Sequence, residues 1–203
     1  MSVIKNINFD LGGVLIDWNP DYVFKEVFKD DEKLAWFYRE ICTMDWNENQ
    51  DAGYHLAKAT EERIALFPQY EDSIRMYYGR WEEMLGDAIQ DTVKLLKQCI
   101  DSPALKVLAL TNWSAETFPL ALKRFDFLQW FEGIVVSGEE MTRKPFSDIY
   151  QTTLKRFDLK PEESLFIDDN KRNIGAAKAI GIQCILFSSP KQLEKELKKL
   201  YVL

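Results

Sequence analysis

An α/β protein built on a doubly wound parallel sheet is predicted by three features of the sequence. Short, apolar, β-branched runs recur at residues 3–9, 105–110, 133–136, 164–167 and 183–187. Stretches with helical apolar spacing lie between the later runs, and one long aromatic-rich stretch, from about Pro20 to Gly86, breaks the alternation. Strands alternating with helices form a parallel sheet covered on both faces, and such strands read as continuous apolar runs. The expected architecture is a Rossmann-like core carrying an inserted α-helical bundle.

Each element follows from its residues. Residues 88–100 set Ile89, Val93 and Leu96 on one helix face, continued by Cys99 and Ile100. Residues 147–157 carry Ile149, Leu154 and Phe157, and residues 173–180 are short and Ala-rich. Inside the interrupting stretch, helical patterns cover 22–28, 33–43, 53–63, 60–67 and 73–85. That stretch has few strand signals and enough apolar residues for a bundle of its own. The expected division is a core of residues 1–16 and 87–203 with a helical unit of residues 17–86. Lys and Glu at helical spacing over 192–200 predict a solvated terminal helix.

Composition narrows the class. The chain has 203 residues, 33 acidic against 26 basic side chains, and a formal charge of −7. At 46% hydrophobic and 29% charged, it is an ordinary globular sequence, neither disordered nor fibrous. The acidic balance offers no face for neutralising many phosphates, so DNA and RNA are not expected partners. No run approaches the roughly 18 apolar residues of a membrane span. Residues 1–10 lack a signal peptide's apolar core and cleavage site, so a cytoplasmic protein without a membrane partner is expected. Cys42, Cys99 and Cys184 lack grouped metal-site spacing and read as core thiols in a reducing compartment. The single histidine, His55, reads as a surface or boundary residue, which speaks against Cys-His and Ser-His-Asp catalysis.

Polar residues close or follow four of the strands. Asp10 ends the first in Asn8-Phe9-Asp10-Leu11-Gly12-Gly13, and Thr111 and Asn112 end the second. Lys144 follows the third in Arg143-Lys144-Pro145, and Asp168 and Asp169 end the fourth. In an open parallel sheet all carboxyl ends share one edge, where ligands bind. The fold thus gathers an acid, a hydroxyl, an ammonium and an acid pair around one pocket.

A carboxylate can attack phosphorus and form an aspartyl-phosphate, dividing one hard hydrolysis into two easier steps. Several carboxylates beside a phosphate dianion repel at short range unless a divalent cation intervenes. A hard, oxygen-ligated ion such as Mg²⁺ fits best. Lys144 adds positive charge for the transferring group, and Thr111 a hydrogen bond to a phosphoryl oxygen. Gly12 and Gly13 allow a tight turn that aims backbone N–H groups at an anion.

The ordered set hhhDxG, hhhTN, RKP and hhhDDN resembles the haloacid dehalogenase superfamily, in the branch with a helical cap inserted after the first motif. The resemblance covers nearly the whole chain and is similar to bacterial sugar-phosphate phosphatases with the same DLG variant. It implies that Asp10 is the nucleophile and a metal ligand, with the Gly12 carbonyl and Asp169 as further ligands of Mg²⁺. Thr111, the Asn112 backbone and the glycine turn would grip the phosphoryl group, and Lys144 would neutralise charge on Asp10. Asp168 would orient Lys144, and Asn173 would lie near the metal. Helix capping is the alternative role for both. The implied activity is hydrolysis of a small organic phosphate monoester, a sugar phosphate among the candidates, by a monomer or homodimer.

The pattern departs from the family at one position. Many relatives carry a second Asp two residues after the nucleophile as general acid and base, a role worth about 10²–10⁴-fold. Here that position is Gly12. Three readings are open: a substrate with a good leaving group, a proton supplied by the cap, or a non-catalytic phosphoryl-binding relative. Asp17 is one substitute acid, with capping of the helix after Pro20 as its other role. A metal-independent 2-haloacid dehalogenase is the alternative enzyme, with Arg39 available for its substrate. Asp168 and Asp169 favour a metal and a phosphoryl group over a carboxylate substrate. Phosphorelay receivers share these residue types in a different order, which argues against that class. Residues 45–53 resemble the loop that covers the site in capped relatives. Trp46 or Asp51 would touch the leaving group there, the alternatives being a core plug and a turn residue.

Overall fold

The computed structural model describes residues 3–203; Met1 and Ser2, within the expected first core segment, lie outside the described residues. From the N-terminal side, β1 (Asn6–Phe9) leads to a short β2 (Ile16–Trp18). A run of helices follows: α1 (Asp21–Val27), α2 (Asp31–Trp36), α3 (Met44–Asp51), α4 (Leu56–Leu66), α5 (Glu71–Gly79) and α6 (Trp81–Met84). β3 (Leu85–Ala88) then returns to pair antiparallel with β2, so a two-stranded ribbon flanks the insert. Beyond it come α7 (Gln90–Ile100), β4 (Lys106–Thr111), α8 (Phe118–Arg124), β5 (Gly133–Val136) and α9 (Ser137–Glu140). The chain ends with α10 (Ser147–Arg156), β6 (Ser164–Asp168), α11 (Lys171–Ala179), β7 (Gln183–Leu186) and α12 (Pro190–Lys199).

The central sheet is parallel, in the order β5-β4-β1-β6-β7. Strand alternation sorts its side chains to two faces. Phe9, Val107, Ala109 and Ile167 pack with Leu96 of α7 and with Leu193 and Leu197 of α12. Leu110, Val135 and Phe166 pack on the other face with Ile149 and Tyr150 of α10 and Ile174 of α11. Each Val, Leu, Ile or Phe among them stabilises the fold by about 1.5–3 kcal/mol through burial. This is the doubly wound arrangement that the apolar runs predict.

The insert has its own apolar cluster, centred on Phe24, Phe37, Trp46, Ile74, Tyr77 and Trp81. Phe24 and Phe37 pack with tilted rings, their centroids 5.0 Å apart. Several local expectations change here. The helix expected over 33–43 is α2 followed by a wider turn, in which the Cys42 N–H reaches back five residues to the Phe37 carbonyl at 2.9 Å. The helical pattern of 73–85 stops at Met84, because Leu85 enters β3. Residues 45–51 are helical, not a loop, and the Thr43 hydroxyl caps α3 by accepting from the Trp46 N–H at 3.0 Å. His55 stands at the start of α4 and is exposed.

All three cysteines are free thiols; Cys42 and Cys99 are buried and Cys184 is half-buried. Burial pushes Cys99 up to about 12 and Cys184 up to about 11, as expected for unreactive core thiols. Among the described residues, no helix is long and apolar enough to cross a membrane.

Candidate active site

β1 lies between β4 and β6, so the strand order reverses beside Asp10, where such sheets open a crevice. The Asp10 N–H bonds the Ile167 carbonyl at 2.8 Å, which sets it level with the end of β6. Lys144 arrives from the loop before α10 and is 1% exposed. Its ammonium meets Asp10 Oδ1 at 2.8 Å, Asp168 Oδ2 at 2.7 Å and the Leu110 carbonyl at 3.0 Å, which uses all three donors. Asn112 fixes the same loop: its amide donates to the Lys144 carbonyl at 3.0 Å and accepts from the Lys144 N–H at 2.9 Å. Asp168 also accepts from the Asn173 amide at 3.0 Å and from the Asn170 N–H at 2.7 Å.

A cavity of about 280 Å³ opens above this cluster. Asp10, Gly12, Gly13, Asn112, Lys144 and Asp169 line its inner end. Asp51 and Asn173 also reach it. Gly12 faces open space, whereas Gly13 has a φ of +73° and a Cβ there would collide with the Asp169 carboxylate.

Thr111 does not line the cavity, and two sequence-based assignments, Trp46 and Asp17, are corrected. Thr111 is buried at the end of β4, directly before Asn112 and Trp113, which line the wall. Trp46 does not line this cavity; it packs inside the insert, 5.3 Å from the ring of Tyr77, with the Arg63 guanidinium over it. Asp17 points the other way, because strand alternation in β2 turns Trp18 toward the cavity. It accepts from the Tyr22 hydroxyl, and Asn19, not Asp17, accepts from the first N–H of α1 at 2.9 Å.

The electrostatics are unbalanced. Burial pushes the Asp10 carboxyl well above the usual range; Lys144 pulls it down, and Asp168 and Asp169 push it further up. Asp169 also moves up, through burial and then the Asp168 charge. Burial works against the Lys144 ammonium, but Asp10 and Asp168 outweigh it and the net direction is up. Oxygens of Asp10, Asp168 and Asp169 lie within 4.8 Å of one another, so one lysine faces three carboxylates. Asp168 is committed to Lys144 and Asn173, while Asp10 and Asp169 reach the cavity. An all-oxygen donor set short of positive charge fits a hard divalent cation.

Sequence reasoning missed the cavity's outer wall. Trp18, Trp81, Met44 and Asn47 line it. Glu48 on α3 pairs with Arg143 at 2.8 Å and with Arg172 of α11, and so ties the insert to two segments of the core. The Ser137 hydroxyl adds a third tie by donating to the Asp51 carbonyl. These partners are far apart in the chain, and no local signal announces them. The Thr43 cap was the one available hint that α3 is a helix.

Comparison with known proteins gives the family. The curated sesquiterpene phosphatase astK of Aspergillus oryzae is 28% identical over 187 residues, spanning 89% of this chain and 88% of its own. The phosphorylated carbohydrates phosphatase of Thermotoga maritima is 25% identical over 90% of this chain and 84% of its own. A HAD family enzyme of Bacteroides thetaiotaomicron, solved as a magnesium complex, matches with a TM-score of 0.72 at 22% identity, over 93% of this chain and 95% of that one. The family model for haloacid dehalogenase-like hydrolases matches residues 7–187. That span runs from β1 to just past β7 and carries every strand whose end builds the pocket, so the chain belongs to the haloacid dehalogenase-like hydrolases.

Proposed function

We propose that this protein is a Mg²⁺-dependent phosphatase, which hydrolyses a small organic phosphate monoester through an aspartyl-phosphate on Asp10. The observation that carries the reading is the crowding of Asp10, Asp168 and Asp169 within 4.8 Å around one buried lysine. A halocarboxylate substrate gains nothing from that concentration of negative charge, whereas a metal-bridged phosphoryl group does. Asp10, Asp169 and the Gly12 carbonyl would hold the ion, whose charge would draw the phosphoryl oxygens in.

The chain's own residues supply the rest. The Leu11 N–H and Lys144 both bond Asp10 Oδ1 at 2.8 Å, which orients the carboxylate for attack. Lys144, steadied by Asp168, offsets charge on Asp10 and on the transferring group. The Thr111 hydroxyl, the Asn112 backbone and the Gly12-Gly13 turn would bind phosphoryl oxygens. Residues 17–86 act as a cap on the core formed by 1–16 and 87–203, held by the Glu48 and Ser137 ties. The cavity suits a small leaving group, and relatives acting on phosphorylated carbohydrates keep sugar phosphates in view. Free buried thiols suit a cytoplasmic setting.

The test is a paired screen. Phosphate release from a panel of sugar, nucleoside and alkyl phosphates with Mg²⁺ is compared with halide release from short 2-halo acids without metal. Phosphate release alone is expected. Halide release would make the protein a dehalogenase, and no turnover of either class would make it a non-catalytic relative.

A further inference from the structure

Gly12 leaves the reaction without the acid that would protonate the leaving group, and the cavity shows where another lies. Four carboxyl side chains line it: Asp10, Glu48, Asp51 and Asp169. Asp10 is the nucleophile of the proposed mechanism, and Asp169 belongs to its metal end. Glu48 is committed to two guanidinium groups, of Arg143 and Arg172. Asp51 remains. It closes α3 and is 8% exposed, with the Asn47 amide donating to its Oδ2 at 3.1 Å. The Ser137 hydroxyl holds its backbone carbonyl against the core, so this end of α3 is anchored beside the cavity that Asp10 also lines.

We propose that Asp51, from the helical insert, is the general acid and base of the reaction, in place of the acid missing at Gly12. This rests on the phosphatase reading above. In the first step Asp10 bonds to phosphorus, the bond from phosphorus to the leaving oxygen breaks, and that oxygen takes the Asp51 proton. In the second step Asp51, now a carboxylate, takes a proton from water as the water oxygen attacks phosphorus. The bond to Asp10 breaks, inorganic phosphate leaves, and both carboxyl groups return to their starting states.

The surroundings suit that work. Burial, then the Glu48 charge, push the Asp51 carboxyl up to about 7, while Arg143, the Ser114 backbone and Lys144 pull it down. Tyr77 and Tyr78 of α5 also face it, and burial pushes both phenols upward, so they remain neutral through this range. A carboxyl poised near neutrality is protonated for the first step and ionised for the second. A Cβ at Gly12 would meet nothing within 4 Å, so the open side of the pocket has room for a leaving group between Asp10 and the insert.

The test compares a good and a poor leaving group in Asp51→Asn. Turnover of glycerol phosphate should fall by about 10²–10⁴-fold. The first burst of nitrophenolate from p-nitrophenyl phosphate should stay within about threefold of wild type, because that leaving group needs no proton. Adding Gly12→Asp to Asp51→Asn should restore part of the lost glycerol phosphate turnover, which a merely structural role for Asp51 does not predict. Equal losses in both first steps, or glycerol phosphate turnover near wild type, would overturn the assignment. If the variant does not fold, the wild type decides: a shallow dependence of kcat/KM on leaving-group acidity across aryl phosphates supports a proton donor, and a steep one refutes it. Asp10→Asn run in parallel keeps the two readings separate, since activity there indicts the nucleophile and not Asp51.

Discussion

Lys144 Nζ lies 2.7 Å from Asp168 Oδ2, and both side chains are closed to solvent. A buried ion pair is a weak source of net stability, but removing one partner strands the other charge. Lys144 also holds Asp10, so stability and chemistry depend on the same ammonium.

Lys144→Ala should therefore lose phosphate release and also lower the unfolding free energy by about 3–5 kcal/mol. Urea unfolding with a wild-type midpoint would show that the lysine is not a structural counter-ion.

The Gly13 turn predicts a metal effect. Gly13→Ala would strain a backbone at φ +73° and press on the Asp169 carboxylate. Half-maximal activation should need roughly 10-fold more Mg²⁺ or beyond, the scale typical of disturbed ligand support. EDTA should stop the wild-type reaction and added Mg²⁺ restore it. An unchanged Mg²⁺ dependence in the variant would separate Asp169 from the metal.

Glu48→Gln keeps the side-chain shape while leaving Arg143 and Arg172 without their shared counter-charge. A stability loss of about 1–3 kcal/mol is expected, with faster proteolysis of residues 17–86. Unchanged proteolysis would mean that this tie does not hold the insert.

Asp51 predicts the sign of a pH effect. Its folded carboxyl titrates at about 7, against an ordinary value of 3.8. Between these values the folded state binds a proton that the unfolded chain has released, so rising pH destabilises the fold. Wild type minus Asp51→Asn should fall by about 2–4 kcal/mol from pH 4 to pH 8, and a flat difference would contradict the shift.

The strands and the inner half of the pocket were legible because each is written locally. An apolar run that ends in Asp10, or in Asp168-Asp169, exposes both the strand and its functional edge within a few residues. α3 was not legible, because its core-facing residues are polar: Asn47, Glu48, Gln50 and Asp51 are all buried. Asn47 and Asp51 bond each other within the helix, and Tyr78, Arg143 and Arg172 reach it from other segments, so the helix shows little apolar period. Trp18 and Asp17 illustrate the same limit. Neither residue type reveals which side of a three-residue strand faces the cavity; the pairing of β2 with β3 decides it. α8 carried a readable signal, Pro119 in its first turn, beside an apolar face on Phe118 and Ala121.

The most direct measurement is phosphate release by Asp10→Asn, together with an acid quench of wild type on labelled substrate. The account predicts a loss of more than about 10³-fold in the folded variant, with label trapped on the Asp10 peptide of wild type. Turnover within tenfold of wild type, or label on any other residue, would contradict it.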